Sequence, residues 1–285
     1  MNTVQKKICI FVLCLLLFTN ASAEFEIHFL DVGEGDSAIV LCDGEIMIID
    51  GGLPSASQKV YSYLRNTLSA QRIKYMIATH PDDDHIGGLA AVLNATPVEL
   101  ILSPTKASKD NHRFQDIVTY AKKQGTPIYI PYPEEQYDLG SATITILACN
   151  PNAKTPNSMS ICLRIDYVNT SFLFMADAEE YDEYMLDMSG LPLEADVLKV
   201  GHHGSNTSCS TGFLAIVHPS YAVISCGTNN RYKHPHQTTL NSLQNMGIQL
   251  YRTDLQGTII CKSDGNSVEF YTEKTTQENI YAAPK

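Results

Sequence analysis

From residue 25 onward the apolar positions fall in short runs separated by turn signals. Runs at 25–32, 37–42 and 46–49 have strand length, and Asp43-Gly44 joins the last two as a hairpin. Residues 58–68 switch to helical spacing, with Val60, Leu64 and Leu68 on one face. A strand is predicted at 74–78, a helix around Leu89, Val92 and Leu93, and a strand at 100–102. A helix over 110–124 is stopped by Gly125 and followed by a strand at 128–130. The second half repeats the theme. Strands are predicted at 142–148, 160–168, 171–175, 197–200, 222–225, 249–252, 258–261 and 267–271. Between them, helices are predicted at 178–188, 212–217 and 238–246. Strands interleaved with helices and hairpin-rich at both ends predict a single α/β sandwich domain with mixed sheets.

The first 23 residues stand outside this pattern. Lys6 and Lys7 precede an apolar run over 8–18, and Ala21-Ser22-Ala23 supplies small residues. This is the layout of a secretory leader cut after Ala23, and the run is too short to cross a bilayer. The expected organisation is a leader at 1–23, one domain at 24–273 and a flexible polar tail at 274–285. The mature chain would then be secreted, with no transmembrane segment. Six of the eight cysteines lie beyond the leader (Cys42, Cys149, Cys162, Cys209, Cys226 and Cys261). None forms a C-x-x-C pair, so bridges and buried thiols are both open.

Charge narrows the range of partners. The chain has 20 basic and 31 acidic residues for a net −11, with mean hydropathy −0.10. That balance excludes an extended basic surface that coats nucleic acid, and leaves room for a local anion site. The decisive segment is His80-Pro81-Asp82-Asp83-Asp84-His85, directly after the strand at 74–78. Consecutive carboxylates repel unless a cation compensates, and imidazole with carboxylate suits Zn²⁺, Mn²⁺ or Fe. The alternative for the same residues is a solvated acidic turn in which Asp84 caps a helix.

These residues resemble the H-x-[HD]-x-D-H signature of the metallo-β-lactamase fold, with His80, Asp82, Asp84 and His85 in register. Asp82 stands where most members carry histidine, as in ComEC-type DNA-internalisation proteins and phosphorylcholine esterases. Further segments resemble that branch in its order. They are Asp31-Val32-Gly33-Glu34-Gly35-Asp36-Ser37, Ile49-Asp50-Gly51-Gly52 and the strand ending Met175-Ala176-Asp177, with Ala176 in place of the usual glycine. Lys199-Val200-Gly201-His202-His203-Gly204-Ser205, Asn230 to Pro235, and Arg252-Thr253-Asp254 complete the series. The resemblance runs from about Glu26 to Tyr271.

The resemblance implies a four-layer αββα sandwich and two divalent ions, Zn or Mn. His80, Asp82 and Asp177 would hold one ion, and Asp84, His85, Asp177 and His202 the other. Of the adjacent pair His202 is preferred over His203, which is placed behind the ligands with Asp31, Asp36 and Asp50. The third histidine of many members is missing, and His112, on a polar helix face, is not promoted. Carboxylate for imidazole hardens the first position toward Mn²⁺. The implied activity is a secreted phosphodiesterase or nuclease using a hydroxide shared by two metals. Asp84 and His234 are then catalytic, and Asn230, Lys233 and His234 hold the substrate phosphate. DNA and a cell-surface polymer are the candidate substrates. A phosphorylcholine esterase and a metal-free binding domain are the competing readings.

Overall fold

The computed structural model describes residues 25–106 and 111–284, so the leader lies outside the described residues. The first six strands are β1 (Phe25–Phe29), β2 (Ala38–Cys42), β3 (Glu45–Ile49), β4 (Ile73–Ile77), β5 (Val98–Leu102) and β6 (Ile128–Tyr129). The next seven are β7 (Gln136–Leu139), β8 (Ala142–Ala148), β9 (Cys162–Tyr167), β10 (Thr170–Phe174), β11 (Val197–Lys199), β12 (Tyr221–Ile224) and β13 (Gln249–Arg252). Last come β14 (Ile259–Ser263) and β15 (Val268–Thr272). One sheet runs β15-β14-β1-β2-β3-β4-β5-β6 and the other β13-β12-β11-β10-β9-β8-β7. Each sheet is antiparallel at one side and parallel at the other, from β3 to β6 and from β10 to β13.

Period-two alternation explains the layering. In β1, Phe25, Ile27 and Phe29 point between the sheets; in β3, Met47 and Ile49 do so while Ile46 and Ile48 point outward. Across the central layer Phe25 stacks on Tyr167 and Phe172 at 4.8 and 4.9 Å. Such pairs contribute about 0.5–1.5 kcal/mol each beyond the area they bury. The outer faces are apolar too, and helices cover them. These are α1 (Ser57–Ser62), α2 (Asp83–Ile86), α3 (Leu89–Ala95) and α4 (His112–Gln124) on one side. On the other lie α5 (Glu180–Ser189), α6 (Thr211–Val217) and α7 (Gln237–Asn245), while α8 (Thr253–Gln256) follows β13. The result is the four-layer αββα sandwich.

Local chemistry sets the helix ends. Asn111 caps α4 through Oδ1, which accepts from Phe114 N, and Gly125 ends it at φ +76°. α5 begins at Glu180, later than the pattern implied, because Glu179 and Asp182 form a reciprocal capping box.

Three features go beyond the sequence pattern or differ from it. The strand β7 was not anticipated, since Gln136–Leu139 carries little apolar alternation. All six cysteines of the described chain are free thiols. The tail expected to fray is docked instead. Arg252, 1% exposed, pairs with Asp254 and donates to the carbonyls of Ile280 and Ala282. The Tyr281 hydroxyl donates to Ile248 O, and Ile280 packs on the outer core. A buried guanidinium needs those carbonyls, and the polar character of the tail concealed this.

Candidate metal centre

Parallel strands deliver the chemistry to one edge of the sandwich. Asp50 follows β3, the acidic segment follows β4, Asp177 follows β10, the paired histidines follow β11 and the His234 loop follows β12. Carboxyl ends of parallel strands are where open α/β sheets place their sites. The backbone bends sharply to aim these groups. Asp50, Ala176, His202 and His203 all sit at positive φ, between 46° and 58°. At Ala176, φ +48° accounts for the glycine of the related pattern, which adopts this conformation without steric cost.

Asp177 is the hub. Its Oδ1 lies 3.1 Å from His85 Nε2 and 3.5 Å from His203 Nε2. Those two ring nitrogens are 3.3 Å apart, and His203 Nε2 is 3.4 Å from Asp84 Oδ2. On the other side, Asp177 Oδ2 lies 3.7 Å from His80 Nε2 and 3.8 Å from His202 Nε2. His80 Nε2 is also 3.7 Å from Asp82 Oδ2. A tetrahedral shell with bonds of about 2.0–2.1 Å has ligand-to-ligand edges of about 3.3–3.4 Å. The first group matches that spacing and the second is slightly wider.

Each imidazole is held from behind. His85 Nδ1 meets Asp50 Oδ2 at 2.8 Å. His203 Nδ1 lies between Ser225 O at 3.1 Å and Asp36 Oδ1 at 3.2 Å. His202 Nδ1 faces Glu179 Oε1 at 3.3 Å. His80 Nδ1 meets Thr79 Oγ1 at 3.2 Å, and that hydroxyl already donates to Asp50 Oδ2. Acceptors behind every ring place the proton on Nδ1 and leave the Nε2 lone pairs converging on Asp177. Lone pairs of His85 and His203 aimed at each other at 3.3 Å repel unless a cation or protons intervene. Two buried atoms, His80 Nε2 and Asp177 Oδ1, have no hydrogen-bond partner at all. The donor set therefore fits divalent ions.

The electrostatics agree. Burial opposes charge on His203, but Asp177 and Asp36 more than offset it and raise its pKa to about 10. Burial likewise disfavours charge on Asp84, and His203 and His85 overcome it, lowering that carboxyl to about 2. Protons thus take the place that a cation would hold. Burial, reinforced by His85, pushes His80 down to about 3. Burial and the neighbouring His203 and His202 push His234 down to about 4, so its ring is neutral near pH 7.

Asp36 also lies close to His85 and His203. Its Oδ2 is taken by Lys199 Nζ at 2.7 Å and its Oδ1 faces Nδ1 of His203, so it braces a ring and does not complete the shell. His234 stands beside the centre, its ring 5.3 Å from that of His202 and stacked on Tyr232. Three expected roles change, the first being that of His203, which was placed behind the ligands and instead aims Nε2 at Asp177 Oδ1 beside His85 and Asp84. Asn230 was assigned to substrate, yet its amide donates to Gly227 O and His234 O and its oxygen accepts from His234 N. Those groups build the loop. Asp31 braces no histidine; it caps Gly33 N and pairs with Lys59 and Lys274. Lys233 is exposed in the same loop as His234, at φ +59°.

Sequence reasoning passed over Glu179, Thr79 and Lys199. A lone lysine in the apolar run 197–200 was a signal for the third, because such a charge needs a buried partner. Glu179 had no comparable signal, since acids are ordinary at a helix start.

The metallo-beta-lactamase superfamily model matches residues 30–228. ComE operon protein 3 of Bacillus subtilis (strain 168) is 31% identical over 270 residues, covering 88% of this chain and 34% of that protein. Recombination protein 2 of Haemophilus influenzae is 28% identical, covering 99% of this chain and 34% of its own length. The chain thus spans about a third of the curated relatives it matches. Among solved structures, the metallo-beta-lactamase fold protein YhfI from Bacillus subtilis aligns with TM-score 0.59 at 13% identity, covering 84% of this chain and 100% of that one. A strand-end cluster of imidazoles and carboxylates in an αββα sandwich, with a family match over most of its length, makes this chain a member of the metallo-beta-lactamase superfamily.

Proposed function

We propose that the chain is a two-metal phosphodiesterase acting outside the cytoplasm. The observation that carries this reading is the convergence of four Nε2 atoms on the two oxygens of Asp177, each ring fixed from behind. His80, Asp82, Asp177 Oδ2 and His202 would hold one divalent ion. Asp84, His85, Asp177 Oδ1 and His203 would hold the other. His202 thereby occupies the place of the histidine that the sequence lacks. With Asp82 in place of an imidazole, the first position favours a harder ion, and Mn²⁺ competes with Zn²⁺.

The chemistry that two such ions supply when bound is activation of water near neutral pH and neutralisation of charge on phosphate oxygens. The chain's own groups do the rest. Asp84 uses one oxygen toward His203 and keeps the other to orient the attacking water. His234 donates a ring N–H to a phosphate oxygen, and Tyr232 fixes its plane. Lys233 attracts the substrate anion from the rim. The net charge of −11 confines attraction to that point and argues against a long basic track.

Relatives named Competence protein ComA, from Neisseria gonorrhoeae, and Recombination protein 2 favour DNA as the substrate. The leader layout at 1–23 supports export, and no helix among the described residues is long and apolar enough to cross a membrane. The test is metal analysis followed by hydrolysis of bis-p-nitrophenyl phosphate, single-stranded DNA and p-nitrophenyl phosphorylcholine with Mn²⁺ or Zn²⁺. Two ions per chain, diester cleavage abolished by chelator, and a loss of at least a hundredfold in Asp84→Ala are expected. Fewer than one ion per chain would leave a binding domain, and preference for phosphorylcholine would replace the nuclease reading.

A further inference from the structure

Helix α5 has a face that neither the core nor the metal centre uses. Tyr181, Tyr184, Met185 and Met188 are 69, 57, 49 and 65% exposed. Their i, i+3, i+4, i+7 spacing sets them on one stripe about 100° wide. They are four of the nine large apolar side chains exposed among the described residues. Apolar surface gathered in this way marks a contact site, whereas scattered residues do not. The helix does not need the stripe in order to hold its place. Its opposite face buries Leu186 and Glu183, and the Glu183 carboxylate accepts from the backbone of Cys209 and Ser210.

Beside the stripe lies a cavity of about 330 Å³, walled by Tyr181, Met185, Leu186 and Leu191 and floored by Leu147 and Cys149. The charges around it have one sign. Glu180 and Asp187 flank the stripe on one side; Asp182 and Glu134 line the groove on the other. Among the described residues no lysine or arginine lines the cavity.

We propose that α5 and this groove dock an amphipathic helix of another protein, with an apolar stripe bordered by lysine or arginine. Apolar anchors of the partner would enter the groove, while its cations would meet Glu180, Asp182 and Asp187. Tyrosine and methionine suit such a surface, being enriched where proteins meet. Charge decides against a second copy as the occupant. Two-fold pairing of α5 would set Glu180 and Asp187 of one molecule against the same residues of the other.

The test titrates the purified chain into a fluorescein-labelled 18-residue leucine/lysine amphipathic peptide and follows anisotropy at physiological salt. Saturable one-to-one binding is expected. It should weaken at least tenfold in Tyr184→Ser/Met188→Ser and in Glu180→Gln/Asp187→Asn. It should be unchanged in Met246→Ser, which removes an exposed apolar side chain elsewhere. A leucine/glutamate peptide should bind at least tenfold more weakly. All replaced side chains are exposed, and unchanged thermal melting verifies folding. Equal binding by the stripe and Met246 variants would overturn the proposal. So would a wild-type dimer, seen by sedimentation, that Tyr184→Ser/Met188→Ser makes monomeric, because the occupant would then be a second copy.

Discussion

Replacing Asp50 by asparagine leaves its size unchanged and alters the proton logic of the centre. Asp50 Oδ1 accepts from Thr79 N at 2.9 Å, and Oδ2 accepts from the Thr79 hydroxyl at 2.6 Å and from His85 Nδ1 at 2.8 Å. Asparagine can still serve Thr79 N through its oxygen, but its NH₂ then faces His85 Nδ1. That ring must turn acceptor at Nδ1, which moves its proton to Nε2, the atom 3.1 Å from Asp177 Oδ1 and 3.3 Å from His203 Nε2. A protonated Nε2 cannot ligate. Loss of such a bracing group typically lowers metal affinity 10–100-fold, which is about 1.4–2.7 kcal/mol. The larger damage should fall on the ion that His85 serves, because the Thr79 hydroxyl passes only part of the change on to His80 and His202 keeps Glu179 behind it. Competition with a chromogenic chelator resolves the two binding steps. Asp50→Asn should weaken one step by 10–100-fold and leave the other within a few-fold. An unchanged pair of constants would refute the argument that Asp50 sets the His85 tautomer.

Other predictions follow from the same geometry. His202→Ala should reduce bound metal from two ions to one in equilibrium dialysis while thermal stability stays near wild type; retention of both would remove His202 from the ligand set. Ala176→Gly relieves a left-handed alanine costing about 1–2 kcal/mol and adds about 0.5–1 kcal/mol of backbone entropy. The net gain of about 0.5–1 kcal/mol should raise the melting temperature by roughly 1–4 °C in calorimetry. Away from the centre, burial lowers the pKa of His28 below 6.5. Glu26 stays below 4.5 because Lys262 and His28 outweigh its burial. Both contributions are complete above the unfolded values. As pH falls, that of His28 is lost from about 6.5 downward and that of Glu26 from about 4.5 downward. A melting-temperature profile should therefore slope down below pH 6.5, and His28→Gln should flatten the upper part of that slope.

Much of the fold was legible because strand and helix periods differ and turn residues punctuate them. The strands delivering Asp50, Asp177 and the paired histidines were all anticipated to within a few residues. The choice between His202 and His203 was not legible. Both adopt positive φ, so the chain turns each ring inward, and local sequence carries no record of that conformation. Long-range pairs were also hidden. Lys199 meets Asp36 across 163 positions, and Arg252 meets Ala282 across 30, so no window along the chain contains both partners. Asn230 misled for the opposite reason. A polar residue beside a candidate histidine looks available until its three hydrogen bonds to the loop are drawn.

The buried Arg252 also ties the sandwich to residues well beyond the family match. The superfamily match stops at residue 228, yet β14 pairs along the whole of β1, with Ile27 opposite Cys261, and the carbonyls of the clamp lie at 280 and 282. The first and late strands thus close the domain on itself, as a clasp does. A chain trimmed at the family limit would lose Ile259 and Cys261 from the central layer and bare one edge of β1. An exposed apolar edge of that kind recruits other chains, so aggregation would arise along β1 although every proposed metal ligand, from His80 to His203, is still present.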